Sequence, residues 1–285
     1  QERQRGTSMA VRWRVTPSPS PSSPSARMPR TAPTRCGRLA SCVWPSLGRL
    51  VVLMLENRSF DNLLGFLYPA SPNFDGLTGH ETNPGPKGPV KVGTTTNETN
   101  PDPDPLEKFP EFNQQLFGEG PIGDYNRTDP PPMNGFVLNY QQAIQEYNRK
   151  HCIFRKKNRN PARIMESIDA SLLKNLNLLA RQYAVCDQWF CSVPAQTWPN
   201  RRFAMAATSK GDVNNTPVLR LFTTIFDRIA ESGNASWGVF GGDVQSAAVL
   251  FPHLPLLHPD HFHLGLDDFR GLCRNNGGRD LPNFC

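Results

Sequence analysis

Residues 51–61 read Val-Val-Leu-Met-Leu-Glu-Asn-Arg-Ser-Phe-Asp, and this stretch decides the fold class that the sequence predicts. Its first five residues are apolar and β-branched at the start, which is typical of a strand buried on both faces of a parallel sheet. Glu56 and Asn57 follow at the carboxyl end, where open α/β sheets bind ligands. Both offer oxygen atoms that divalent cations accept. The stretch therefore predicts an α/β fold with a metal-binding edge; a plain Glu-Asn pair on the surface is the alternative.

A short helix is expected directly after this strand. Ser59 can cap its first turn, and Leu63, Leu64 and Leu67 follow at helical spacing, with Gly65 near the end. With the strand and helix so arranged, the side chains of Glu56 and Asn57 would face the crevice at the sheet edge.

A second stretch, residues 185–203, carries a candidate nucleophile. A strand-like apolar segment leads through a turn with a proline into a run of helix formers, and Pro199 stands at or near the first helical position. Thr197 then lies at the helix N-terminus, where unpaired N–H groups and the helix dipole favour phosphate. Its hydroxyl could attack a phosphorus centre while Arg201 or Arg202 pairs with the phosphate oxygens. Alternatively, Thr197 is a plain helix cap.

The two stretches resemble the phosphoesterase family that includes non-specific phospholipases C and certain acid phosphatases, within the alkaline-phosphatase-like superfamily. The motifs that carry the resemblance are residues 56–61 and 192–201. Shorter pieces agree with the family in order along the chain, at residues 104–105, 115–118, 133–136, 164–165, 207–211, 224–227 and 281–284. The resemblance runs from about Gly48 to Cys285.

The resemblance implies a fold and a reaction. The fold is an alkaline-phosphatase-like three-layer sandwich, with a largely parallel central sheet flanked by helices and truncated at the C-terminus. The reaction is the hydrolysis of a phosphoric ester through a covalent phosphothreonine on Thr197, in the manner of a phospholipase C. Glu56 and Asn57 match the family's metal-proximal pair, and Asn200 and Arg201 match its phosphate-binding positions. The implied cofactor is a divalent metal ion of unknown identity.

Departures from the family pattern also matter. Many members have a histidine where this chain has Glu107, so a group expected to touch the phosphate is replaced by an acid. Asn62 likewise stands where a histidine often follows the first motif. Family members continue to an Asp-Glu-His-Gly-Gly motif that completes the metal site, so the remaining metal ligands are expected beyond Cys285. With so few ligands, we expect the chain as given to be inactive or barely active.

Composition divides the chain into two parts. Residues 1–47 are rich in arginine, proline and serine, which predicts a disordered segment, and residues 48–285 form the N-terminal part of the phosphoesterase domain. The first 50 residues carry a net charge of +8, which leaves −2 for the rest of a chain whose formal charge is +6. This basic segment reads as a transit peptide or as a fragment or misassigned gene start. It lacks the interleaved aromatics of a nucleic-acid-binding arm, so no nucleic acid partner is expected.

The rest of the chain yields helices, a strand and a histidine cluster. Helices are predicted around residues 109–117, 163–183 and 223–232, and a strand at 236–240. The four histidines between residues 253 and 263 form a weak metal candidate, and Asp267-Asp268 reads as a helix start. No run approaches the roughly 20 apolar residues of a membrane span.

Different functional interpretations remain open. The first is a phospholipase C acting on phospholipids, with contact at the membrane surface and a secreted or peripheral location by resemblance. The second is an acid phosphatase that acts on soluble phosphate esters. The third is a non-catalytic remnant that binds phosphate or lipid head groups.

Overall fold

A computed structural model describes residues 48–118, 130–151, 159–217, 220–241 and 246–274, together with Pro282. Within this part the chain forms two compact units, one running from Asn57 to Pro194 and the other comprising residues 48–56 and those from Ala195 onward. The elements are mixed helices and short strands, which confirms the α/β class. None of the helices in these ranges is long and apolar enough to cross a membrane.

The described residues of the first unit form four α-helices and four short strands. In chain order they are α1 (Phe60–Leu64), β1 (Thr82–Asn83), β2 (Val90–Lys91), β3 (Gly93–Thr95), α2 (Phe109–Phe117), α3 (Phe136–Lys150), β4 (Glu166–Ile168) and α4 (Lys174–Gln182). Strands β1 and β2 pair antiparallel, whereas β3 and β4 pair in parallel with Thr94 opposite Ser167. This unit has two apolar cores. The core beneath α1 and α4 has the buried residues Leu67, Phe74, Ala180 and Val185. The core along α3 has the buried residues Tyr140, Ala143 and Ile144.

Helix α1 confirms the helix predicted after the first motif. The Ser59 hydroxyl accepts the Asn62 N–H at 3.1 Å and so caps the first turn. The Asn62 side chain, in the place of the family's histidine, donates to the Glu166 carbonyl at 2.8 Å. The Ser167 hydroxyl donates to the Asp61 carbonyl at 2.8 Å, so these bonds fasten α1 to β4. Gly65 is required here because a Cβ would come within 2.6 Å of the Asp61 carbonyl oxygen.

The second unit is built around one aromatic core. Its elements are α5 (Thr197–Ala206), α6 (Ile225–Ser232), β5 (Val239–Gly241), α7 (Ser246–Leu250), α8 (His253–Leu257), β6 (Phe262–Leu264) and α9 (Leu266–Arg274). Strands β5 and β6 pair in parallel, with Phe240 opposite His263. The buried core consists of Phe222, Phe226, Trp237, Ala247, Leu250, Phe251 and Leu254, and α5 packs Trp198 and Met205 against it.

The buried strand predicted at residues 51–55 is wrong. All five residues are exposed, Leu53 by 74% and Leu55 by 79%, and they belong to no strand. A strand buried on both faces needs paired neighbours and covering helices. None of the described strands pairs with this segment, so its apolar side chains stay in contact with solvent.

The single helix predicted for residues 163–183 is also wrong. Pro161–Met165 forms a 3₁₀ turn, Glu166–Ile168 is β4, and only Lys174–Gln182 is an α-helix. The apolar residues are spaced as in a helix, but Glu166–Ile168 in this segment pair with β3 as a strand and so cannot be helical. The Asp169 carboxylate then accepts the Ser171 N–H at 2.9 Å and forms a turn. By contrast, α2, α6, the region of β5 and the start of α9 confirm the other predicted elements.

Candidate functional site

Thr197 is the first residue of α5, as the sequence predicts. It follows Gln196, which is extended and occupies the cap position, so Thr197 is not the helix cap that the alternative interpretation supposes. Thr197 is half-buried, and its hydroxyl has no hydrogen-bond partner in the part of the chain that the structure describes. The oxygen therefore remains available for a ligand at the positive end of the helix dipole.

The start of α5 offers fewer amide groups than a bare helix end. The Trp198 N–H donates to the Asn215 side-chain oxygen at 2.8 Å, and Pro199 has no N–H. The positions directly after Thr197 therefore have no amide left for an anion. A phosphate at this end would be held by the Thr197 amide and by side chains, rather than by a ring of backbone donors.

Asn200 faces back over the start of its own helix. Its side-chain nitrogen lies 3.0 Å from the Ala195 carbonyl oxygen and 3.2 Å from that of Gln196. These bonds hold the two peptide groups that precede Thr197. The amide nitrogen of Asn200 therefore shapes the turn, while its predicted role in phosphate binding stays a prediction.

Arg201 and Glu56 are brought together although 145 residues separate them in the chain. The Arg201 Nε lies 2.8 Å from the Glu56 Oε2, and the two side chains are 20% and 35% exposed. Arg201 is four residues after Thr197 in the same helix, which places both side chains on one face. A partly exposed ion pair of this kind contributes about 1 kcal/mol or less to folding.

Arg202 has a different environment, although it is adjacent to Arg201. Its side chain is 1% exposed, lies 3.0 Å from the Asp212 carboxylate and donates to the Thr216 carbonyl at 3.4 Å. The guanidinium carbon also lies 5.7 Å from the centre of the Phe222 ring. Burial lowers the pKa of Arg202, an effect that Asp212 partly offsets. Arg202 is therefore a structural residue, whereas Arg201 lies nearer the surface, with its side chain 20% exposed.

Asn57 and Glu107 belong to the first unit. Both are exposed, and Glu107 stands just before Lys108, which occupies the N-cap position of α2. Asn57 has a φ of 73°, a left-handed conformation that asparagine adopts more readily than most residues. The boundary between the two compact units falls between Glu56 and Asn57.

The donor set does not by itself fit a divalent cation. No group of three or more histidine, cysteine, aspartate and glutamate side chains is placed to hold a metal among the described residues. The Glu56 carboxylate is instead neutralised by Arg201. Metal sites in proteins need about three or four protein ligands, so the predicted cation has no complete set here.

The histidine cluster serves packing in the structure. His258 and His261 lie against the buried Trp237 ring, with the His261 and Trp237 centres 4.2 Å apart. His263 stacks on Phe240 at 4.4 Å. The remaining member, His253, lies 3.3 Å from the Asp227 carboxylate in the cap of α6. Each of the four imidazoles therefore lies against an aromatic ring or a carboxylate.

Sequence reasoning missed Gln196 and Asn215. The Asn215 N–H donates to the Gln196 side-chain oxygen at 2.8 Å, so the two residues bond to each other as well as to the helix start. Gly211 and the asparagines at 214 and 215 indicate a loop. No local pattern shows that this loop returns to the beginning of α5.

Comparisons with known proteins found a matching family model and curated relatives. The family model described as "Phosphoesterase family" matches residues 47–263. Non-specific phospholipase C3 of Arabidopsis thaliana is 30% identical over 82% of this chain and 43% of its own length. Non-specific phospholipase C6 of the same plant is 34% identical over 60% of this chain and 30% of its own length. The chain thus spans less than half the length of these relatives.

Proposed function

The chain belongs to the phosphoesterase family, and on that premise we propose that it is a phospholipase C-like hydrolase whose nucleophile is Thr197. The observation that carries the proposal is the position of this residue. Its hydroxyl opens α5 with no partner among the described residues, and Arg201 lies one turn later on the same face.

The proposed reaction has two displacements. The Thr197 oxygen bonds to phosphorus as the bond from phosphorus to the glycerol oxygen breaks. The Thr197 hydroxyl gives its proton to solvent water, and the leaving alkoxide takes up a proton from solvent water. Water then attacks the phosphothreonine, which releases the phosphorylated head group and restores the hydroxyl. Division of the reaction in this way makes the second step independent of the lipid that left.

Arg201 is the proposed partner of the phosphate oxygens. A guanidinium can pair with two of these oxygens at once, and its charge opposes the negative charge that develops during the displacement. This role requires Arg201 to exchange Glu56 for the substrate. The partial exposure of the two side chains is compatible with such an exchange.

The remaining parts of the proposal concern the metal, the fold and the substrate. Glu56 and Asn57 as metal ligands, Glu107 and Asn200 near the phosphate, and the alkaline-phosphatase-like sandwich all stay predictions. The two displacements are written without the cation, because the described residues do not form a complete ligand set for it. A phospholipid is favoured over a soluble monoester because the relatives carry the name phospholipase C.

Product analysis tests the proposal. Purified protein is incubated with phosphatidylcholine vesicles and, separately, with nitrophenyl phosphate, and diacylglycerol and nitrophenol are measured. We expect diacylglycerol, formed slowly, and its loss in Thr197→Val. The matched control is Thr223→Val, since Thr223 is an exposed threonine of the same unit. Release of nitrophenol alone would indicate the phosphatase, and full turnover by Thr197→Val would contradict the proposal.

A further inference from the structure

A loop outside α5 holds the first turn of that helix. The α5 helix ends at Ala206, and Ala207 adopts a left-handed conformation with a φ of 58° that turns the chain back. The following loop brings Asn215 to the beginning of the helix, where it bonds to Trp198 and Gln196. These two residues flank Thr197 on either side.

The two bonds are reciprocal. Asn215 accepts the Trp198 N–H through its side chain at 2.8 Å and donates its own backbone N–H to the Gln196 side chain at 2.8 Å. Gln196 makes no capping bond within its own helix. The loop therefore supplies the cap that the helix lacks, and a cap of this kind contributes about 1 kcal/mol to helix stability.

A buried ion pair fixes the loop that carries Asn215. Arg202, which is 1% exposed, bonds to Asp212 at 3.0 Å and to the Thr216 carbonyl at 3.4 Å. Asp212 and Thr216 lie on either side of Asn215 in the chain. The loop is thus anchored to the middle of α5 while Asn215 reaches the start of the same helix.

We propose that Asn215 is a positioning residue that holds the Thr197 hydroxyl in one orientation. The proposal rests on the assignment of Thr197 as the nucleophile. The Trp198 N–H donates a hydrogen bond to the Asn215 side chain, and the Asn200 side chain donates to the carbonyl groups of the two residues before Thr197. The backbone is therefore fixed on both sides of a hydroxyl that has no bond of its own in the described chain. Such preorganisation places a nucleophile for attack before substrate binds.

The orientation of Thr197 can be measured without turnover. Three-bond couplings from its methyl carbon to the backbone nitrogen and carbonyl carbon report the side-chain rotamer. We expect a single rotamer in the wild-type chain and in Asn215→Asp, which keeps the acceptor oxygen. Asn215→Leu should give averaged couplings and faster exchange of the Trp198 amide. The control is Asn214→Leu, because Asn214 is the exposed neighbour, and its couplings should match the wild type.

Unchanged Thr197 couplings in Asn215→Leu would overturn the proposal, even if the Trp198 amide exchanges faster, because Asn215 would then be a structural cap only. If Asn215→Leu does not fold, Gln196→Ala removes the other half of the clamp and carries the same expectation. In turnover assays, Asn215→Leu should lower kcat about 10- to 100-fold with KM unchanged, and Asn215→Asp should restore kcat. A wild-type chain with no turnover would contradict the proposed function, while the couplings would still decide the role of Asn215.

Discussion

Arg201 and Arg202 are adjacent in sequence but have different structural roles. Successive residues of a helix point about 100° apart, so one guanidinium faces Glu56 near the surface while the other enters the interior against Asp212. The buried one is needed for the fold of the second unit. The partly exposed Arg201 pairs with Glu56, and an ion pair of this kind contributes about 1 kcal/mol or less to folding.

Substitution of each arginine by glutamine separates these roles. Arg201→Gln should change the free energy of unfolding by about 1 kcal/mol or less and slow phosphorylation of Thr197 about 100-fold. Arg202→Gln should lower the free energy of unfolding by about 2 kcal/mol, because it removes the charged bond to Asp212 and leaves that carboxylate only the exposed Arg220, at 3.3 Å. Urea unfolding and quenched phosphorylation assays measure the two effects. Equal loss of stability in both variants would contradict this assignment.

The sequence predicted part of the site at this scale. Thr197 could be placed at a helix start because Pro199 and the helix formers after it are local signals. No local sequence signal predicts the contact between Glu56 and Arg201, which are 145 residues apart. Only the resemblance to a family assigned both residues to one site. Asn215 could not be found, since its role depends on how far the loop after α5 folds back.

At the scale of elements, the segment of residues 51–55 is the largest departure from expectation. Its composition favours a strand, yet it lies exposed and unpaired by any described strand. The residues of a segment set its propensity to form a strand, but whether it pairs into a sheet depends on other segments of the chain. The helix predicted for residues 163–183 is wrong for the same reason. The apolar residues have helical spacing, but β4 within this segment pairs with β3.

Exposure of this apolar segment predicts association. An unpaired, apolar extended segment recruits other chains and binds hydrophobic dyes. Leu53→Lys should reduce dye fluorescence and shift the protein toward monomer in sedimentation velocity. The control is Leu256→Lys on α8, an exposed leucine in the same unit but outside the segment. A monodisperse wild-type protein without dye binding would contradict this prediction.

The cap of α6 predicts a dependence of stability on pH. Burial alone would raise the pKa of Asp227, but bonds from Thr224 and His253 outweigh it and hold the pKa below its ordinary value. A lowered carboxylate pKa contributes stability that is complete above the ordinary value and is lost as pH falls through the folded-state value.

Asp227→Ala should therefore lower the free energy of unfolding by about 1 kcal/mol at neutral pH. The difference from wild type should begin to shrink near about pH 4, where the carboxylate of Asp227 protonates in the unfolded chain, and should shrink further as the folded chain takes up the proton at lower pH. Urea unfolding at a series of pH values measures it, with the exposed Asp260→Ala as the control. A constant difference across this range would show that the charge of Asp227 does not stabilise the cap.

At the scale of the whole molecule, the family match runs through both compact units, since it covers residues 47–263. The positive charge of the chain is concentrated in its first 50 residues, and the remainder is slightly negative. A phosphate substrate would therefore be recognised by the local charge of Arg201 and the start of α5, rather than by the net field of these units.

The covalent intermediate is the most direct test of the central claim that Thr197 is the nucleophile. The protein is mixed with a phospholipid labelled in its head-group phosphate, quenched in acid within seconds, digested and mapped by mass spectrometry. We expect the label on Thr197 in the wild type and in Thr223→Val, and no label in Thr197→Val. Label on any other residue would contradict the claim.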